Sequence, residues 1–203
     1  MSTFIPLVIM ILLSTGWLTF LPAQLEITKQ YMIIYLAIIG CISLLPPISI
    51  TSSVDIQLDY LFLFFLFIYL LKDTSVPQLA TLLSLIFMLG SILFLFHEIF
   101  GNALIGRSSV FQWVTILLSL GEAIVSAIKL KEQFCLVFGG LLVTQGVLYY
   151  LYHERISPLV FPGIGVLDTF WITTVILIVL KGVQLRIPII QKNWRVAYWI
   201  KKR

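Results

Sequence analysis

The sequence predicts an all-α membrane protein: a bundle of seven transmembrane helices with the amino terminus outside the cell and the carboxyl terminus in the cytoplasm. Of the 203 residues, 60% are hydrophobic and 11% are charged, whereas about 25% of an average soluble domain is charged. The hydrophobic residues form seven runs, several of which approach the roughly 20 residues that cross about 30 Å of hydrocarbon. Lys and Arg collect at alternate links between these runs.

Short links with turn-forming residues separate the predicted helices. Pro22 is expected to end the first helix and the Pro46-Pro47 pair the second, because proline has no backbone N–H to continue a helix. The longer links are a Ser/Thr-rich turn at 48–54 and a loop at 97–107. The predicted helices cover residues 4–21, 31–45, 56–71, 77–96, 108–133, 134–152 and 165–180.

The positive charges predict the orientation. Residues 1–183 are expected to form the transmembrane domain, and residues 184–203 a basic, aromatic-rich tail on the cytoplasmic membrane surface. With seven crossings, one side of the membrane carries eleven Lys or Arg residues, seven from residue 181 onward and four at the inner links. The other side carries two, and this asymmetry is what the positive-inside rule expects. The tail is expected to bind anionic lipid at about 1 kcal/mol per basic residue, and nucleic acid is excluded. The four inner residues are Lys29, Lys72, Lys129 and Lys131, and the two outer ones are Arg107 and Arg155.

The predicted fifth helix carries a polar stripe along its whole length. Eight polar residues from Ser108 to Gln133 recur in alternating steps of four and three, which places them on one helical face. Lipid does not solvate such a stripe, so the face is expected to point into the bundle. The expected polar interior contains Gln112, Thr115, Ser119, Glu122 and Ser126 of this helix, with Gln145 and Thr174 of the next two helices.

Glu122 has two interpretations, since an acidic side chain inside a membrane helix is costly and usually functional. It binds a proton or a cation in a polar pocket, or it ties helices together as a hydrogen-bonded carboxyl group. We favour the tie, because the sequence shows no paired cation and no second buried carboxylate. The small and hydroxyl residues at the same predicted depth are Thr15, Gly16, Ser84, Gly139, Gly140 and Thr174.

A second group of polar residues is predicted at the outer side, where the fourth and sixth helices both end in a His-Glu pair. Superposing residues 77–98 on 133–154 also aligns Gly90 with Gly146, which suggests a parallel internal repeat. Converging imidazoles and carboxylates would hold a divalent metal; the alternative is a set of interfacial charges. We expect no metal and no cofactor, since the HExxH spacing is absent. This outer cluster contains His97, Glu98, His153, Glu154 and Asp168.

The striped helix with Gly121-Glu122, the basic turn after it and Phe138-Gly139-Gly140 together resemble the YphA-type small multi-pass membrane proteins of spore-forming Gram-positive bacteria. The resemblance implies a location in the bacterial plasma membrane. It implies no catalytic residue, because that group has no assigned activity.

Three functions are compatible with these features. The leading hypothesis is a non-enzymatic integral membrane protein that acts through its polar bundle interior and through other membrane components. The alternative is a small proton- or cation-coupled transporter, or the substrate-binding subunit of one, with Glu122 binding the ion. A further alternative is a membrane-embedded, metal-dependent hydrolase that uses His97, His153 and nearby acids.

Overall fold

The computed structural model describes residues 4–51, 54–72, 74–104, 108–127, 129–152, 159–161 and 165–201. These residues form helices joined by short links, together with one small sheet. The helices are α1 (Phe4–Ser14), α2 (Leu21–Leu25), α3 (Lys29–Ile42), α4 (Leu58–Leu71), α5 (Val76–Leu104), α6 (Ser108–Ser126), α7 (Leu130–Tyr152) and α8 (Val166–Lys201). The strands are β1 (Ile48–Thr51), β2 (Val54–Ile56) and β3 (Leu159–Phe161).

The prediction of a helical fold is confirmed in outline, and the apolar helices are consistent with a membrane protein. Each of the seven apolar runs forms a helix, and α2 is an additional short one. Within the described residues, three helices are long and apolar enough to cross a membrane: Val76–Phe100, Leu130–Tyr152 and Val166–Leu185. The other apolar helices are shorter; α3 and α4 have 14 residues each, or roughly 21 Å at about 1.5 Å per residue. The structure therefore gives neither seven crossings nor the sides of the termini.

Two predicted helix ends are wrong. Pro22 does not end the first helix: α1 stops at Ser14, a turn with Gly16 at a φ of 88° follows, and Pro22 lies in the first turn of α2, where its missing N–H costs nothing. The predicted loop at 97–107 is helical as far as Leu104. At the start of the predicted loop, Phe96 is stacked on Phe111 of α6 at a centroid distance of 5.3 Å.

The predicted fifth helix is also wrong at its end, because α6 stops at Ser126 and α7 begins at Leu130. The amide of Gln133 donates to the carbonyl of Ala127 at 2.9 Å. The backbone N–H of Lys129 donates to the carboxylate of Glu132 at 3.4 Å, as in one half of a capping box at a helix start. Lys129 and Gln133 therefore do not belong to the helix that carries the stripe.

The link at 48–54, predicted to be a turn, instead contributes two strands of the small sheet. β1 pairs with β2 antiparallel, with Ile48 opposite Ile56, and β2 pairs with β3 parallel, with Val54 opposite Leu159. The sheet therefore joins the α3–α4 link to the α7–α8 link at one end of the bundle, here named the sheet end. The backbone of α8 continues through the predicted tail as far as Lys201, and the position of the tail at the membrane surface stays a prediction.

The opposite end is named the basic end, because Lys29, Lys72 and Lys129 lie in or beside the links there. A small cavity of about 50 Å³ is lined by Glu26 of the α2–α3 link, Thr74 of the α4–α5 link, and Lys129 and Lys131 at the α6–α7 link. The helices from α3 to α8 thus alternate in direction between the two ends.

The most enclosed helix is α7, and it packs against α2, α4, α5, α6 and α8. Leu136 and Val137 are 0% exposed. The ring of Phe138 lies 5.3 Å from that of Tyr60 and 5.4 Å from that of Phe170 between centroids. The first half of α7, from Leu130 to Leu141, is buried on nearly all sides, as expected of a helix in the core of a bundle, so the others pack around this half rather than around the striped α6.

Candidate functional site

A cavity with a volume of about 520 Å³ lies between α1, α2, α3, α4 and the adjoining parts of α7 and α8. This volume is within the range of roughly 300–1,000 Å³ that is usual for small-molecule sites. The lining is aliphatic and aromatic, apart from the hydroxyl groups of Tyr31, Tyr35, Tyr69 and Thr174. Along α3 the lining extends from Tyr31 to Ile39, which is about 12 Å at about 1.5 Å per residue. The cavity is therefore elongated and almost wholly apolar.

The cavity opens between α3 and α4. The lining residues that are more than one-third exposed all lie on these two helices: Tyr31, Ile34, Ile38, Phe65 and Tyr69. Beside the opening, the hydroxyl of Tyr35 donates a hydrogen bond to the carbonyl of Phe62 and ties α3 to α4. The edges of the opening are apolar, apart from the hydroxyl groups of Tyr31 and Tyr69.

The deep wall of the cavity belongs to α7 and α8. Phe134, Trp171 and Leu177 line it and are at most 6% exposed. Thr173, one residue before Thr174, donates its hydroxyl to the carbonyl of Thr169 at 2.7 Å. Thr174 is 6% exposed, and within the described part of the chain its hydroxyl has no hydrogen-bond partner. The deep wall is therefore apolar at its surface, because the Thr174 oxygen itself is buried behind it.

An ion pair lies beside the basic end of the cavity. The ammonium group of Lys131 lies 2.7 Å from the carboxylate of Glu26, and the Lys131 side chain is 11% exposed, against 50% for Glu26. Glu26 caps α2 at a φ of 57°, and its neighbours Leu25 and Ile27 both line the cavity, as does Leu130 beside Lys131. The hydrogen bond from Lys131 and its charge hold the pKa of Glu26 below its usual value.

We expect this ion pair to give the protein a measurable pH dependence. A carboxylate with a lowered pKa in the folded state stabilises the fold above its ordinary titration range, and this stabilisation is lost as pH falls through the folded pKa. Glu26→Gln should therefore lower the free energy of unfolding at neutral pH by about 1 kcal/mol, given that Glu26 is half exposed. The difference from wild type should shrink towards pH 3 in detergent unfolding assays. A difference that does not change with pH would contradict this assignment.

The predicted polar stripe lies on the more buried side of α6. Ser119 is 0% exposed, whereas Leu117 and Val125 on the apolar side are 64% and 86% exposed. Ser126 donates its hydroxyl to the carboxylate of Glu122 at 2.8 Å, within the same helix. The remaining residues predicted for the polar interior, Gln112, Thr115 and Gln145, are partly buried.

The stripe and the cavity are separate features. Of the predicted polar-interior residues, Thr174 lines the large cavity, and no stripe residue does. The partners predicted for Glu122 at its depth are engaged elsewhere: Gly139 and Gly140 face Ile86 and Leu89 of α5, and the hydroxyl of Ser84 donates to Ala80 within α5. A role for Glu122 in tying helices together therefore stays a prediction.

The outer cluster is described in part. The carboxylate of Glu98 accepts a hydrogen bond from the hydroxyl of Tyr152 at 2.8 Å, and Nδ1 of His97 lies 3.9 Å from Oε1 of Glu98. Asp168 lies in the first turn of α8. His153 and Glu154 lie outside the described residues. Among the side chains that the structure describes, no three His, Cys, Asp or Glu residues are grouped to hold a metal ion.

Sequence reasoning missed the cavity itself. Its walls consist of Leu, Ile, Phe and Trp, and these residue types also cover the lipid-facing surface. No protein-family model, no curated protein and no solved structure matches this chain.

Proposed function

We propose that this chain is a non-enzymatic, multi-pass protein of the bacterial plasma membrane that binds a lipid acyl chain inside its helical bundle. The observation that carries the proposal is the elongated apolar cavity of about 520 Å³ that opens between α3 and α4. Its shape, its lining and its lateral opening suit an occupant that is itself a constituent of the bilayer.

The physical reason for binding is packing rather than escape from water. An acyl chain that moves from the bilayer into the cavity exchanges one apolar environment for another. The walls around an empty cavity, in contrast, have no atoms to contact on one side and forfeit dispersion energy. A chain that fills the space restores these contacts.

The proposal retains seven crossings with the basic end in the cytoplasm. The lysines that support this orientation in the sequence are found at one end of the bundle, around the α2–α3, α4–α5 and α6–α7 links. Helices α1, α3 and α4 are shorter than the hydrocarbon layer, so the bilayer is expected to thin locally around them. Thinning would also bring lipid headgroups closer to the cavity. The resemblance to the YphA-type proteins supports a plasma-membrane location.

The transporter and hydrolase alternatives receive less support. An ion-coupled transporter needs its acidic residue beside the substrate, and Glu122 does not line the cavity. The hydrolase alternative depends on His153 and Glu154, which lie outside the described residues.

Tryptophan quenching by brominated acyl chains tests the proposal. Trp171 lines the deep wall and is 3% exposed, whereas Trp113 on α6 is 55% exposed. Two variants, each retaining one of these tryptophans with the other four changed to Phe, are reconstituted into bilayers of brominated phospholipid. Bromine quenches only at near contact, so Trp113 reports surrounding lipid and Trp171 reports a chain in the cavity. We expect both to be quenched. Quenching of Trp113 without quenching of Trp171 would contradict the proposal.

A further inference from the structure

We infer that the occupant of the cavity is an anionic phospholipid, whose headgroup binds the exposed lysines Lys29 and Lys129. The inference rests on the proposed function and adds the class of lipid. It follows from the position of the cavity between two ends of the bundle that differ in charge.

The cavity reaches the basic end. Its lining includes Tyr31 near the start of α3, Tyr69 near the end of α4 and Leu130 at the start of α7, and all three positions lie at the basic end. The sheet end carries Asp55, Asp59, Glu98 and Asp168 in or beside its strands and helix termini. A lipid whose chain lies in the cavity therefore places its headgroup among lysines.

Two of these lysines are close in the sequence to residues that line the cavity. Lys29 is exposed and lies between the lining residues Ile27 and Tyr31, and Lys129 is exposed and precedes the lining residue Leu130. Lys131, in contrast, is buried against Glu26 at 2.7 Å, so its charge is already compensated. Lys29 and Lys129 thus supply the positive charge at the cavity's basic end.

The charge of the headgroup decides between lipid classes. A phosphatidylglycerol headgroup brings one negative charge to Lys29 and Lys129. A phosphatidylcholine headgroup brings a negative and a positive charge, and the two lysines repel the latter. Each basic residue near an anionic headgroup contributes favourably, so the two together should give a preference of about thirtyfold for the anionic lipid.

The test uses the variant that retains only Trp171, in bilayers of equal amounts of phosphatidylglycerol and phosphatidylcholine with matched chains. In one sample the phosphatidylglycerol chains are brominated, and in the other the phosphatidylcholine chains. We expect stronger quenching of Trp171 in the first sample. Lys29→Gln with Lys129→Gln should make the two samples equal, whereas Lys29→Arg with Lys129→Arg should preserve the difference.

A matched control removes two charges elsewhere, with Lys201→Gln and Lys202→Gln in the tail, and should preserve the difference. If the tail variant abolishes it, or if wild-type side chains give equal quenching in both samples, the headgroup assignment is wrong while chain binding stands. If Trp171 is quenched in neither sample, the proposed function itself fails. The two failures are therefore distinguishable.

Discussion

Gly90→Ala is expected to destabilise the protein strongly, whereas Gly146→Ala is not. A Cβ atom on Gly90 would lie 2.6 Å from Cγ1 of Val143 and 3.1 Å from the carbonyl oxygen of Gly140. Valine is stiff in a helix, and a backbone oxygen has no rotamer to adopt, so α5 and α7 would have to separate. A Cβ atom on Gly146 of α7 would have no atom within 4 Å.

The size of the contrast follows from two opposing effects. Overpacking in a well-packed core costs about 1–3 kcal/mol, and alanine is better than glycine in an open helix position by about 1 kcal/mol. Because both glycines lie inside helices, this gain is common to both variants, so Gly90→Ala and Gly146→Ala should differ by about 1–3 kcal/mol in the free energy of unfolding, measured by denaturing-detergent titration. Gly121→Ala on α6, where a Cβ atom also has open space, is a second control. Equal stabilities for all three variants would show that α5 and α7 do not cross at Gly90.

The close approach of α5 and α7 at Gly90 also explains a hydrogen bond between these two helices. The hydroxyl of Thr144 lies 2.8 Å from the carbonyl of Gly140 in its own helix and 3.1 Å from that of Gly90 in α5. Because Gly90 has no side chain, the backbone of α5 can come close enough to α7 for this hydrogen bond. Small residues have the same role in many membrane helix pairs. Together these contacts fix α5 against α7 in a parallel arrangement.

Hydropathy predicted the helices because the period and length of an apolar run are local properties. The same reasoning could not rank the helices by burial. Leu136 on α7 is 0% exposed and Leu117 on α6 is 64% exposed, yet both are leucines in apolar helices. Which of them lies in the core depends on neighbours that are distant in the sequence. The central position of α7 was therefore not predictable from the residue pattern.

The polar stripe illustrates how periodicity extends across a break. The steps of four and three continue from Glu122 and Ser126 to Lys129 and Gln133, although the helix ends between them. The link between α6 and α7 is only about one turn long, so the polar residues keep their spacing in the sequence across it. They no longer lie on one helical face. The strands escaped prediction for a related reason: three or four residues are too few for a period of two to be recognised.

The largest functional effect is expected from filling the cavity. Ile39 and Leu177 line it and are 0% and 3% exposed, so Ile39→Phe with Leu177→Phe would place two rings in the space of the occupant. The matched control makes the same changes on the exposed side of α6, where Leu117 and Ile124 are 64% and 48% exposed. Both variants should fold, because the first fills space and the second alters only lipid-facing side chains.

Native mass spectrometry of protein extracted in mild detergent tests the central claim most directly, since it counts lipids bound to each chain. Wild type and the Leu117→Phe/Ile124→Phe control should each retain one phospholipid, and the Ile39→Phe/Leu177→Phe variant should lose it. Retention of the same lipid by the filled variant, or a wild-type protein that carries none, would contradict the account of an acyl chain held within the bundle.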